Sequence, residues 1–259
     1  MSVAARQAAP LAAVLLDLDG TLADTAADLA HALNRLRDEQ GMAPLAVSEL
    51  RPHVSQGARG MLACALDIGP QDADYARLRE RFLAIYAESC ARQATLFDGF
   101  ADVLGELRGR GLRIGIVTNK LERFAAPLLR ALCVWPDADC LITPDLLRLP
   151  KPDPEGVLLA CERLGVAPAA SVFVGDDPRD IAAVTVSVPD SYRSMIAHQP
   201  PGRIGRIVSM GWQCALAAYH REELLDVERV DHSGEADFAR LCGAVQVVAD
   251  AALGADFPQ

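Results

Sequence analysis

Asp17 and Asp19 stand two residues apart where the apolar run of residues 11–16 ends, and Gly20-Thr21 follows them at once. Side chains alternate along a strand, so acids at i and i+2 emerge on the same side of a sheet's end. Glycine and threonine then break the strand where a small molecule can reach both acids. Such a pair can divide labour, one carboxylate attacking while the other moves a proton. That division suits covalent phosphoryl transfer. Taken alone, the two acids could also close a solvated turn, so the chemistry needs a context.

Three downstream segments supply that context. Residues 114–117 run apolar into Thr118-Asn119, and residues 171–174 run apolar into Gly175-Asp176-Asp177. Between them Lys151 sits in Pro150-Lys151-Pro152-Asp153-Pro154. A nucleophile with a second acid, a hydroxyl and amide pair, one cation and a further acid pair could together hold a phosphate and a magnesium ion. Each group also has a plainer reading. A lysine is most often solvated, and threonine and asparagine are at home where strands turn. Asp177 also fits as the N-cap of a helix begun by Pro178, with Asp180 at its N3 position.

In this order and spacing the segments resemble the haloacid dehalogenase superfamily. Its four motifs are matched by residues 17–21, Thr118-Asn119, Lys151 and residues 175–180, so the likeness extends over residues 11–183. The resemblance implies an α/β fold, a Rossmann-like three-layer parallel sheet core with an inserted α-helical cap domain. It implies hydrolysis of a phosphate monoester through an aspartyl-phosphate on Asp17, with Asp19 as acid and base. It assigns Mg²⁺ to Asp17, the backbone carbonyl of Asp19, and Asp176, an all-oxygen set that suits this hard cation. Thr118, Asn119 and Lys151 would hold the phosphate, with Asp177 and Asp180 supporting the ion or Lys151 from behind.

The elements that must position these residues alternate between strand-like and helical patterns, as in a parallel sheet covered by helices on both faces. Residues 11–16, 112–117, 140–143 and 213–218 read as strands, along with the run before Gly175. Residues 121–132 and 154–164 read as helices, with Asp153 capping the latter and Asp98 capping one that precedes residue 112. From residue 25 to about 92 the apolar positions recur at helical spacing, as in Leu29, Leu33 and Leu36, then Leu78, Phe82, Ile85 and Tyr86. By position this block matches the cap of the phosphoglycolate phosphatase-like branch. The expected division is residues 1–24 and 97–259 for the core and 25–96 for the cap. Residues 184–209, rich in proline and glycine, read as an insertion or divergent segment.

In the cap, glycines bracket Arg59 in Ser55-Gln56-Gly57-Ala58-Arg59-Gly60. Gly57 and Arg59 are the candidates for substrate choice, since a flexible arginine can pair with a carboxylate. The same segment could also be a helix-start loop with a surface arginine. Together with Gly69-Pro70-Gln71-Asp72-Ala73, Leu96-Phe97-Asp98-Gly99 and Lys151-Pro152-Asp153-Pro154-Glu155, it resembles the bacterial N-acetylmuramic acid 6-phosphate phosphatases. That likeness implies a sugar phosphate as substrate, with 2-phosphoglycolate as the alternative. A phosphomutase or a catalytically impaired binding protein are the alternatives of other classes.

Composition agrees with an Ala/Leu/Val-rich α/β protein. The chain has 259 residues, 51% of them hydrophobic and 5% aromatic, enough for a full core plus a modest second domain. A net charge of −10 and no Lys/Arg run disfavour a nucleic-acid surface, and an anionic substrate would need local positive charge; the small phosphorylated metabolite expected as partner is what the resemblance implies. Seven cysteines without a Cys-x-x-Cys pair fit neither a disulfide framework nor a zinc site. The apolar residues 11–16 are too short for a signal peptide, and no window is long enough to span a membrane. The expectation is a cytoplasmic monomer or homodimer.

Overall fold

The computed structural model describes residues 11–134, 138–177, 179–180, 182–183 and 215–217. Five strands form one sheet in the order β5-β4-β1-β6-β7. They are β1 (Ala13–Leu16), β4 (Arg113–Val117), β5 (Cys140–Ile142), β6 (Ser171–Gly175) and β7 (Ala215–Ala217). β1 is central and its four residues are all buried, as expected of a strand covered on both faces. It pairs in parallel with β4 and with β6, Leu16 lying opposite Ile116 and Val174.

Alternation along the strands divides the core into two layers. Val14, Leu16, Ile114, Ile116, Val172 and Val174 pack on one face against α5 (Phe100–Gly109) and α6 (Glu122–Ala131). Ala13, Leu15 and Phe173 pack on the other against Val157, Ala160, Cys161 and Leu164 of α7 (Glu155–Leu164). The three-layer arrangement follows from apolar residues at both strand parities.

β7 departs from an all-parallel sheet, because it pairs antiparallel with β6. Among the described residues it has a single neighbour, and an antiparallel edge on an otherwise parallel sheet is a common compromise. Helix α5 also starts differently from expectation. Its N-cap is Gly99, at φ 82°, and not Asp98, because glycine enters the left-handed region without a steric penalty. Asp153 does accept the N–H of Glu155 at 2.9 Å, although Pro154 holds the N-cap position itself. The insertion expected at 184–209, and any helices after residue 219, lie outside the described residues.

The helical stretch comprises α1 (Ala26–Glu39), α2 (Val47–Leu50), α3 (Gly57–Leu66) and α4 (Tyr75–Ser89). The chain enters it through β2 (Ala23–Asp24) and leaves through β3 (Thr95–Leu96), which pair antiparallel. Its apolar faces bury one another in a cluster of their own, centred on Leu33, Met61, Phe82, Ile85 and Tyr86. Phe124 of α6 belongs to that cluster, so it reaches from the sheet layer into the helical block. Asp28 is fully buried in the first turn of α1 and accepts the N–H groups of Arg92, Gln93 and Ala94 at 2.9–3.2 Å. Three backbone donors, with the positive end of the helix beside them, stabilise the buried charge and anchor the returning chain.

Candidate active site

Because β1, β4 and β6 run parallel, their C-terminal ends share one edge of the sheet, and the residues that follow them meet there. The chain leaves β1 toward β4 and β5 on one side and later returns to β6 on the other. That change of direction opens a crevice at the strand ends, the usual ligand position in sheets of this kind.

Asp17 is buried and its N–H bonds the Val174 carbonyl at 2.9 Å, tying the residue to β6. Its carboxylate meets the Lys151 ammonium at 2.8 Å, and the same ammonium meets Asp180 at 2.6 Å. Carboxylate oxygens of Asp17, Asp176 and Asp180 lie within 4.8 Å of one another. Burial pushes Asp17 up to about 8, against the pull of Lys151 and with repulsion from Asp180 and Asp176. Burial likewise raises Asp176 to about 6, although the Ser55 and Thr21 hydroxyls favour its charged form. Burial opposes the charge on Lys151 too, yet the two carboxylates beside it hold its pKa above the ordinary lysine value. Three carboxylates crowd one ammonium, Asp17 and Asp180 buried and Asp176 partly so, an excess of acidic groups over cations. An oxygen-liganded divalent cation fits that excess.

Asp19 has a different environment, its side chain 15% exposed and outside the carboxylate triad. Its Oδ1 accepts the Thr25 hydroxyl at 2.6 Å, and Lys120 Nζ contacts Oδ1 and Oδ2 at 2.9 and 3.2 Å. Two neighbouring acids in unlike surroundings are the arrangement that lets one attack and the other carry a proton. Gly20 makes this close approach feasible. At φ 87° it turns the chain, and a Cβ there would collide with the Asp176 carboxylate and the Ser55 hydroxyl.

The supporting loops are tied together by side chains. Asn119 donates to the Lys151 carbonyl at 2.9 Å and accepts the Lys151 N–H at 3.0 Å, so its side chain staples the lysine's loop to the end of β4. The Thr118 hydroxyl accepts the Lys120 N–H at 3.1 Å. Asp177 accepts the Arg179 N–H at 2.9 Å while Asp180 accepts the Asp177 N–H at 3.0 Å, a reciprocal cap of the type that begins helices. Asp180 therefore serves the turn and Lys151 at once.

The family model for haloacid dehalogenase-like hydrolases matches residues 11–185. The chain belongs to the haloacid dehalogenase-like hydrolases. Among this family's curated members, an N-acetylmuramic acid 6-phosphate phosphatase of Pseudomonas aeruginosa is 41% identical over 171 residues, covering 66% of this chain and 76% of the relative. A phosphoglycolate phosphatase of Xanthomonas campestris pv. campestris is 39% identical over 204 residues, covering 78% of this chain and 89% of the relative. Of the solved structures, a subfamily IA hydrolase of the same superfamily from Geobacter sulfurreducens is 26% identical with a TM-score of 0.56, covering 69% and 85% of the two chains.

In this hydrolase the structure gathers Asp17, Asp19, Lys151, Asp176 and Asp180 at one edge, with Thr118, Asn119 and Asp177 in the loops that hold them. Arg59 is exposed on α3 and makes no ion pair or hydrogen bond with a described residue, while Gly57, at φ 64°, opens that helix. Sequence reasoning passed over Thr21, Ser55, Lys120 and Arg179. Thr21 donates to Asp176 at 2.9 Å. Ser55 donates to the other Asp176 oxygen, and Arg179 donates to the Ser55 carbonyl. Lys120 directly follows Thr118-Asn119 and Arg179 lies within residues 175–180, so position was a usable signal. Among the described residues, no helix is long and apolar enough to cross a membrane.

Proposed function

We propose that this hydrolase cleaves phosphate monoesters through an aspartyl-phosphate on Asp17, and that its preferred substrate is N-acetylmuramic acid 6-phosphate. The observation that carries the reaction type is the buried Asp17–Lys151–Asp180 chain beside Asp176, with Asp19 held apart by Thr25 and Lys120. Asp17 attacks phosphorus, and Asp19 gives a proton to the departing oxygen and then takes one from the water that releases phosphate. Lys151 and the Thr118 hydroxyl stabilise the equatorial oxygens as charge moves during transfer. Asn119 contributes by fixing Lys151. Asp17, Asp176 and the Asp19 carbonyl would hold Mg²⁺, which supplies charge neutralisation for the phosphate when bound.

Residues 25–96 act in this reading as a cap, closing over a small phosphorylated metabolite in the cytoplasm. The Pseudomonas relative supports the muramic substrate. A sugar has remote groups whose binding can drive closure and orientation, whereas a two-carbon acid offers little beyond its carboxylate. The Xanthomonas relative, aligned over a longer stretch, supports 2-phosphoglycolate as the second reading.

Phosphate release from a panel of phosphorylated metabolites, with and without Mg²⁺, tests both levels. The expected result is Mg²⁺-dependent release with a higher kcat/KM for the muramic substrate than for 2-phosphoglycolate. The reverse preference would move the assignment to 2-phosphoglycolate. Transfer between sugar phosphates without free phosphate would make the enzyme a mutase.

A further inference from the structure

Lys120 takes no part in the Asp17–Lys151–Asp180 chain, yet its side chain is only 6% exposed. A buried ammonium is costly unless it is paired, and Lys120 has two partners of different origin. One is Asp19 at the end of β1, contacted through both carboxylate oxygens at 2.9 and 3.2 Å. The other is the ring of Tyr86 on α4, whose centroid lies 4.8 Å from the ammonium, within range of a cation–π attraction. Tyr86 is itself fixed in the helical block. It stacks near Phe82 at 6.4 Å and tilts against Phe124 at 5.1 Å. A continuous set of contacts therefore runs from the packing of α4 to the carboxylate of Asp19.

We propose that Lys120 is a positioning residue for proton transfer, holding the Asp19 carboxylate in one orientation, and that Tyr86 makes this hold depend on how α4 is seated. The inference rests on the reading of Asp19 as acid and base. A lysine side chain has many rotamers, and a loose one would leave Asp19 free to turn away from the leaving oxygen. Enclosure between the sheet edge and the Tyr86 ring removes that freedom. Movement of α4 with the cap would then place or displace the acid, so that proton transfer is available only when the substrate is enclosed.

The test compares two leaving groups on the full-length protein with Mg²⁺. Nitrophenolate departs from p-nitrophenyl phosphate without needing a proton, whereas the alkoxide of ethyl phosphate needs one. In both cases kcat/KM reports steps up to leaving-group departure. Lys120→Met is expected to lose about 10–100-fold on ethyl phosphate and less than about threefold on p-nitrophenyl phosphate, within the range typical of proton transfer. Lys120→Gln provides the same comparison if the Met variant does not fold. Tyr86→Leu should bias the two substrates in the same direction by a smaller factor, and Tyr86→Phe, which keeps the ring, should match wild type. Equal losses on both substrates, as a merely structural role would produce, overturn the proposal. Asp19→Asn run alongside separates the two levels. If it shows the leaving-group bias and Lys120→Met does not, only Lys120 is removed from the step. If Asp19→Asn shows no bias, the acid–base reading fails and the inference falls with it.

Discussion

Asp17 and Asp19 are chemically identical, and the roles proposed for them diverge through what each one touches. Asp17 is sealed beside Lys151 and two further carboxylates, so its charge needs compensation, while Asp19 faces the crevice under a hydroxyl and an ammonium. Asp17→Asn removes the attacking oxygen and one crowded charge but keeps the shape and leaves Lys151 paired with Asp180. Phosphate release should fall to background, and the melting temperature in the absence of metal should equal or exceed that of wild type. Wild-type-like turnover by a well-purified sample would dismiss the covalent mechanism. This part of the site was legible in the sequence because Asp17 and Asp19 follow the apolar strand β1 and Asp176 follows β6, a local signal. The partners of Asp19 and Asp176 were less so. Ser55 is 121 residues from Asp176, and Lys120 is 101 from Asp19, separations that only the tertiary fold closes.

At the level of elements, the strand and helix segments were readable from periodicity, since apolar runs bounded by glycine and acids differ plainly from the 3.6-residue spacing of α1 and α4. What periodicity leaves undetermined is which buried face meets which partner. Phe124 is the instructive case, because it lies on an α6 face that otherwise packs on the sheet, yet it inserts among Tyr86 and its neighbours. The Asp28 anchor was equally hidden, as its three donors come from the far end of the helical block. Phe124→Ala should cost about 3–5 kcal/mol in urea denaturation, the range for deleting a buried aromatic ring. Its local signature should be faster amide exchange in Tyr75–Ser89 than in β4, because the removed contact supports α4 directly. Equal acceleration in both would mean that Phe124 serves the general core and does not join the two layers.

For the molecule as a whole, the acid cluster links stability to pH and, through the proposed Mg²⁺ site, to metal. The carboxyl of Asp17 is raised from 3.8 to about 8 by burial, and that of Asp176 to about 6. Between about pH 4 and pH 8 the folded protein therefore binds more protons at these sites than the unfolded chain does, and its stability must fall as pH rises through that window. A divalent cation favours the deprotonated carboxylates, so its binding strengthens in the direction in which the apoprotein weakens. The chelator-treated protein is expected to show a melting temperature that declines from about pH 5 to about pH 8, and added Mg²⁺ should restore more of it at the higher pH. The net charge of −10 contributes a general repulsion of its own, which Asp17→Asn isolates. That variant should flatten much of the decline and reduce the response to Mg²⁺. A slope and a metal response that survive the substitution unchanged would place the linkage elsewhere in the molecule and take Asp17 out of the metal site.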